Sequence, residues 1–329
     1  MAEMTLLQAI NSGLFEQMRK DKTVVVFGED AGFEGGVFRV TAGLQKEFGE
    51  LRCFDTPISE AGIVGSAIGM AINGLKPVAE MQFDGFMFNG FNQLAVHAAR
   101  MRNRSRGRFS VPMVLRVPMG GGIRALEHHS EAIETLFAHI PGLKVVYPST
   151  PYDAKGLLAS AIQDPDPVVY LEPKKIYRAF KQEVPENEYL IPIGKAKVFY
   201  AAKDPNLTVV SWGAMVHDTM KAVKALEAEG VRVELIDLRS IAPIDYATIY
   251  TSVRKTGRLI VVQEAIKTLG VASEIITRVT ENCFLSLEAA PARVTSPDIT
   301  VPLARGEYHH IPDVKRISYE IKKLMSFKL

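Results

Sequence analysis

The sequence predicts an α/β protein built from two doubly wound domains. Short β-branched runs alternate with helix-period stretches along the chain, the pattern of a parallel sheet covered on both faces. The alternation is interrupted once, by the polar run KQEVPENEYLIPIGKAK between Phe180 and Asn206. The 329 residues, 47 % of them hydrophobic, suffice for two cores at roughly 100–200 residues per domain. The expected division is a first domain over 1–185, a linker over 186–205 and a second domain over 206–329.

Thr5 opens an amphipathic helix with Leu7, Ile10, Leu14 and Met18 at helical spacing. Asp21-Lys22 turns the chain into a strand, Thr23–Phe27, with Gly28, Glu29 and Asp30 at its carboxyl end. A glycine-rich loop and a helix near 41–48 lead to a strand near 52–55. Ser59 then stands where it can cap a helix that Asn73-Gly74 ends. Strand 77–81, helix 89–103, strand 111–117, a loop over 118–127 and a short helix near 131–138 follow. Strand 144–147, helix 152–162 and strand 168–171 complete the first unit. The second has strands at 207–212, 232–236, 258–263 and 293–295, and helices at 215–229, 245–253, 270–281 and 314–325.

Charge and composition exclude several classes. A formal net charge of +2 implies no nucleic-acid partner. The basic run from Arg100 to Arg108 reads as a solvated helix end, where cations suit the dipole. Cys53 and Cys283 match no metal or redox spacing and read as buried thiols of a reducing compartment. The opening MAEMTLLQAI lacks the pattern of a signal peptide. No apolar run reaches the ~18 residues of a membrane span. The expectation is a soluble cytoplasmic protein. No dinucleotide fingerprint, P-loop or G-x-S-x-G elbow is present. The cluster His128-His129-Ser130-Glu131 lacks the spacing of a zinc motif.

The most informative stretch runs from Asp55 to Gly74, DTPISEAGIVGSAIGMAING. Glu60 is its single acid after Asp55, at the head of an apolar helix. Gly62, Gly65 and Gly69 each cost about 1 kcal/mol against Ala. That cost makes sense if another backbone or a flat ligand comes close. The plain reading of Glu60 is an acid satisfying orphan N–H groups at a helix start.

This stretch, with EMQFDGFMFNGFNQ and EHHSEAIETLFAHIPGLKVV after it, resembles the beta subunit of the decarboxylating first component of 2-oxo acid dehydrogenase complexes. That is the thiamine diphosphate-dependent branched-chain and pyruvate dehydrogenase family. The resemblance spans almost the whole chain, with motifs in the family's order. It implies a pyrimidine-type thiamine diphosphate-binding domain followed by a transketolase C-terminal-like domain.

The resemblance assigns Glu60 to the N1′ atom of the cofactor's aminopyrimidine. A carboxyl sharing a proton there favours the imino tautomer, whose 4′ nitrogen serves as base toward thiazolium C2. Ile58, Gln82 and Phe86 would line the pyrimidine pocket, while Phe83 and Phe91 are read as core aromatics. His129, ten residues before the His of Phe137-Ala-His139-Ile-Pro-Gly142, would face substrate and assist acyl transfer to a lipoyl group. His128 is its runner-up, and His139 is read as packing or holding its loop. The family usually has Gln where Glu131 stands, and this extra carboxylate is expected to raise the His129 pKa. Asp164 and Asp166 resemble a loop that binds a monovalent cation, potassium, in family members. A solvated Asp-Pro turn explains them equally well. The run from Glu172 to Arg178 also matches the family, without an independent physical account.

The G-D-G motif that holds Mg²⁺ and the diphosphate is missing, because Phe83 precedes Asp84-Gly85. A half-site implies an alpha subunit carrying the other half, in an α₂β₂ tetramer. A lipoyl acyltransferase would be the further partner and a 2-oxo acid the substrate, with branched-chain acids favoured over pyruvate. The alternatives are a transketolase-like transferase subunit and a non-catalytic scaffold subunit.

Overall fold

The computed structural model describes residues 1–327. Its first half begins with β1 (Ala2–Met4), α1 (Leu6–Lys20), β2 (Val24–Gly28), α2 (Leu44–Phe48), β3 (Cys53–Asp55), α3 (Glu60–Ile72) and β4 (Lys76–Glu80). It continues with α4 (Met87–Asn92), α5 (Met101–Arg104), β5 (Val114–Met119), α6 (Glu134–Ala138), β6 (Lys144–Val146), α7 (Pro151–Gln163), β7 (Val168–Pro173) and β8 (Gln182–Val184). The second half holds β9 (Lys197–Ala201), β10 (Leu207–Ser211), α8 (Met215–Leu226), β11 (Val233–Asp237), β12 (Ser240–Ala242) and α9 (Tyr246–Thr256). It ends with β13 (Leu259–Ile266), α10 (Val271–Cys283), β14 (Ala292–Ser296), α11 (Glu307–His310) and α12 (Val314–Met325).

Local signals account for the main elements. Thr5 and Gln8 close a reciprocal capping box on α1. Ser59 Oγ accepts from Gly62 N at the head of α3. Thr150 caps α7, with Pro151 in its first turn. The region expected to be one helix over 89–103 is three pieces, with a π-helical stretch at Gln93–Ala98 between α4 and α5.

One sheet has the order β12-β6-β7-β5-β4-β2-β3, and its first six chain-order strands are parallel. Its strands β2, β5 and β7 are buried along their whole length, as in a sheet covered on both faces. The other sheet has the order β14-β13-β10-β11-β9, with only β9 antiparallel. Two elements cut across the expected division. β9 lies within the segment read as linker and forms the edge of the second sheet. β12, from the second half, adds antiparallel to β6 at the edge of the first sheet. The apolar layer beneath is shared, with Val145 and Tyr147 packed in one cluster with Trp212 and Ile241. Trp212 also donates to Glu134 Oε1 at 3.1 Å, across the halves.

The register aligns the strand ends. Gly28 lies opposite Asp55 and Glu80, and Pro118 lies opposite Glu172. The segments after β2, β3, β4, β5 and β7 therefore leave from one edge, the carboxyl edge where open α/β sheets place ligands.

Candidate active site

Glu60 is the first residue of α3 and only 7 % exposed. Asn89 Nδ2 donates to its Oε2 at 3.3 Å. The close backbone approach expected at this helix occurs from the other side, at Gly90 of α4. A Cβ there would meet Glu60 O at 3.1 Å and Val64 Cγ2 at 3.0 Å. Gly62, Gly65 and Gly69 instead lie on the exposed face of α3, and nothing in the described chain approaches Gly65 or Gly69. Ile58, two residues earlier, is 85 % exposed.

Glu29, which sequence reasoning gave no role, is buried just after β2. Burial, and then the nearby Glu60 charge, push its pKa up. Its Oε1 has no partner. Gln82 is half-buried and donates to Asp30 Oδ2 at 2.8 Å.

After β5, Gly120 and Gly122 adopt φ of +81° and +96°, which Cβ-bearing residues rarely adopt. This turn leads to a 3₁₀ turn at Glu127–His129. The His129 ring lies 4.0 Å from the Phe83 ring and 5.2 Å from that of Phe86, centroid to centroid. Phe83 is thus half-buried beside His129 rather than a core aromatic, because Asp84 turns the chain away from the sheet here. Phe91 is half-buried against Phe137. Gly85 lets the two turns touch, since a Cβ there would overlap the His128 carbonyl.

Burial, then the charges of His128 and Lys174, hold the His129 pKa below its ordinary value. The expectation that Glu131 raises it is therefore corrected. Glu127 is the carboxylate pulling the other way, and Glu131 is itself raised by burial. The His129 Nδ1 is buried without a partner. The ring of His128, the runner-up, packs tilted at 59° against that of His129, 4.2 Å centroid to centroid. His139 ends α6 and is exposed rather than packed.

Asp164 and Asp166 do not present free carboxylates. Lys144 Nζ donates to both oxygens of Asp164 at 2.7 Å, and Arg102 Nε donates to Asp166 at 2.6 Å. Their charges are neutralised within the protein, which the sequence hid because Lys144 and Arg102 are distant along the chain. Among the described residues, no group of three His, Cys, Asp or Glu side chains is arranged to hold a metal ion. Nor is any described helix long and apolar enough to cross a membrane.

Residues 2–179 match the family model for the transketolase pyrimidine binding domain, and residues 194–317 match that for the transketolase C-terminal domain. The pyruvate dehydrogenase E1 component subunit beta of Acholeplasma laidlawii is 67 % identical over 324 residues, covering 98 % of each chain. The chain belongs to the beta-subunit family of 2-oxo acid dehydrogenase first components. The same-named family member of Bacillus subtilis (strain 168) is 49 % identical over 327 residues, covering 99 % of this chain and 100 % of that one. At the level of fold alone, this beta-subunit chain is like a split gene transketolase solved as an inactive β4 tetramer. The TM-score is 0.79 at 19 % identity, over 99 % of this chain and 100 % of the other.

Proposed function

We propose that this chain is the beta subunit of a pyruvate dehydrogenase first component, acting with an alpha subunit in an α₂β₂ tetramer. The assembly decarboxylates pyruvate with thiamine diphosphate and passes the acetyl group to lipoyl groups of an acyltransferase. One observation carries the reading. A buried acid, Glu60, and a histidine with an unpartnered nitrogen, His129, leave the same sheet edge, with the Phe86 ring 5.2 Å from that of His129.

When bound, thiamine diphosphate supplies a thiazolium C2 that acts as a nucleophile toward a 2-oxo group. Glu60 fits the pyrimidine end of that group. Asn89 fixes one carboxylate oxygen, and no described side chain donates to the other. In this reading Glu60 exchanges a proton at N1′. Glu29, held protonated to higher pH, is a second carboxyl beside it. Phe86 and Ile58 offer apolar surface to the ring, and Gln82 holds the pocket's rim through Asp30. His129, uncharged near neutral pH because its pKa is lowered, donates a hydrogen bond at the reacting end and assists acyl transfer.

The diphosphate and Mg²⁺ are assigned to the alpha subunit, because the G-D-G motif is missing from this sequence. Asp164 and Asp166 serve their turn through Lys144 and Arg102, so a potassium ion there would rest on backbone carbonyls. A groove of about 840 Å³, lined by Phe91, Leu136, Ile140, Ile244 and Tyr246, offers apolar surface for a chain–chain contact. The two buried thiols suit a reducing cytoplasm. Pyruvate replaces the branched-chain preference, since the relatives above are pyruvate dehydrogenase subunits.

The test is reconstitution with the alpha subunit, Mg²⁺ and thiamine diphosphate, followed by 2-oxo acid-dependent dye reduction. Pyruvate should exceed 3-methyl-2-oxobutanoate by about 10–200-fold in kcat/KM. Glu60→Gln should lose at least about 100-fold in decarboxylation with its fold intact. His129→Ala should block acyl transfer more than His128→Ala does. Wild-type turnover by Glu60→Gln would refute the assignment, and a preference for the branched acid would refute the substrate.

A further inference from the structure

The run Glu172-Pro-Lys-Lys-Ile-Tyr-Arg178 has no part in the site as built so far, yet it starts in the last two residues of β7 and leaves from the same sheet edge. Lys174 and Asp84 are both fully buried and lie 3.1 Å apart. An ammonium has three donors. Those of Lys174 reach Asp84 Oδ1 at 3.1 Å, the His129 carbonyl at 2.5 Å and the Pro118 carbonyl at 3.5 Å. The other carboxylate oxygen of Asp84 accepts from Gly120 N at 3.1 Å. One buried ion pair therefore ties down both ends of the loop from Gly120 to His129. Its charge also sits 5.3 Å from the centre of the Phe83 ring, against which His129 packs.

The second half of the chain holds the middle of this loop. Glu264 accepts from Gly121 N at 2.5 Å. Glu307 accepts from Gly122 N at 2.8 Å and from Arg124 N at 3.0 Å. At the His129 end, His129 N donates to the Leu126 carbonyl and Gly120 N to the Glu131 carbonyl, both at 2.9 Å, and Lys174 is the buried side chain bonded to the His129 backbone.

We infer that Lys174, paired with Asp84, is a positioning residue for His129. It sets the height of the imidazole over the site by gripping the His129 carbonyl. The inference rests on the reading of His129 given above. A structural ion pair that only stabilised the fold would affect all steps alike. A positioning residue should affect the step that uses His129.

The experiment compares Lys174→Gln, the charge-free double variant Asp84→Asn/Lys174→Gln, and His129→Ala in the reconstituted complex. The double variant leaves no lone charge buried, so it keeps the question open if the single variant does not fold. Three quantities are read: amide hydrogen exchange of residues 118–131 without cofactor, dye-coupled decarboxylation, and acyl transfer to a free lipoyl domain. The expected result is exchange at least about tenfold faster in that loop and unchanged in α3. Acyl transfer should fall by about 100-fold in kcat, with KM for the 2-oxo acid unchanged and decarboxylation nearly so. Adding His129→Ala to Lys174→Gln should cost nothing beyond His129→Ala alone. Wild-type exchange and acyl transfer in the Lys174 variants, with His129→Ala defective, would overturn the inference and leave the reading of His129 standing. Equal loss of both half-reactions would also overturn it. Full acyl transfer by His129→Ala would overturn that reading instead. Loop exchange would then decide whether Lys174 holds the loop.

Discussion

Glu134 shows how burial alone can make a residue sensitive to pH. It starts α6, is fully buried, and bonds Trp212 through one oxygen while the other has no partner. Burial pushes its pKa up to about 7. A group whose folded pKa is raised adds stability that is complete below its unfolded pKa, ~4.5, and is lost as pH rises toward the folded value. Between pH ~4.5 and 7 the unfolded chain releases this proton while the folded chain keeps it. Glu134→Gln should therefore flatten the fall in stability over that window by about 2–3 kcal/mol. Chemical denaturation of the variant and wild type at pH 5 and pH 7 checks this. Asp237, also raised to about 7 by burial, shares the sign, so some slope should survive.

At the scale of elements, three adjacent parallel strands are joined by one cation. Arg116 of β5 is completely buried and donates to Glu80 of β4 at 2.5 Å and to Glu172 of β7 at 2.6 and 3.0 Å. Tyr177 donates to Glu172 as well, at 2.5 Å. This network fixes how β4 and β7 flank β5 just before the segments that carry Asp84 and Lys174. Removing the cation leaves two carboxylates buried against each other. Arg116→Met should cost about 3–5 kcal/mol, more than the packing it restores. A lowered urea midpoint at pH 7, with partial recovery at low pH as the carboxylates take up protons, is the expected signature. The same network accounts for Glu172 and Tyr177 in a run that the sequence alone left unexplained.

For the molecule as a whole, the two halves are not independent bodies. β12 completes the first sheet, Trp212 packs into its apolar layer, and Glu264 and Glu307 hold the glycine turn that leads to His129. A fragment of residues 1–193 would lose all three and would expose β6 as a bare edge. It should aggregate or elute as large species in size-exclusion chromatography, and its loop over 118–131 should exchange amide hydrogens freely. A monomeric fragment with native protection there would show that the second half is dispensable for the site's order.

By itself, the sequence determined the local half of this protein. Hydrophobic period marked most helices and strands, because a buried face must recur at the spacing of its own backbone. Ser59, Thr150 and the Thr5–Gln8 pair marked helix starts, since a cap is a bond between near neighbours. The motifs around Glu60, Gln82, Phe86 and His129 pointed to the sheet edge on which the fold places them. Only the tertiary structure decided what long-range contact decides. Short edge strands β1, β8, β9 and β12 carry little pattern of their own and form because a partner strand is waiting. Asp164 and Asp166 lost their freedom to Lys144 and Arg102, and Phe83 left the core for His129. Asp84 and Lys174, 90 residues apart in sequence, became one buried pair because parallel strands gather distant residues at one edge, and no linear spacing records that.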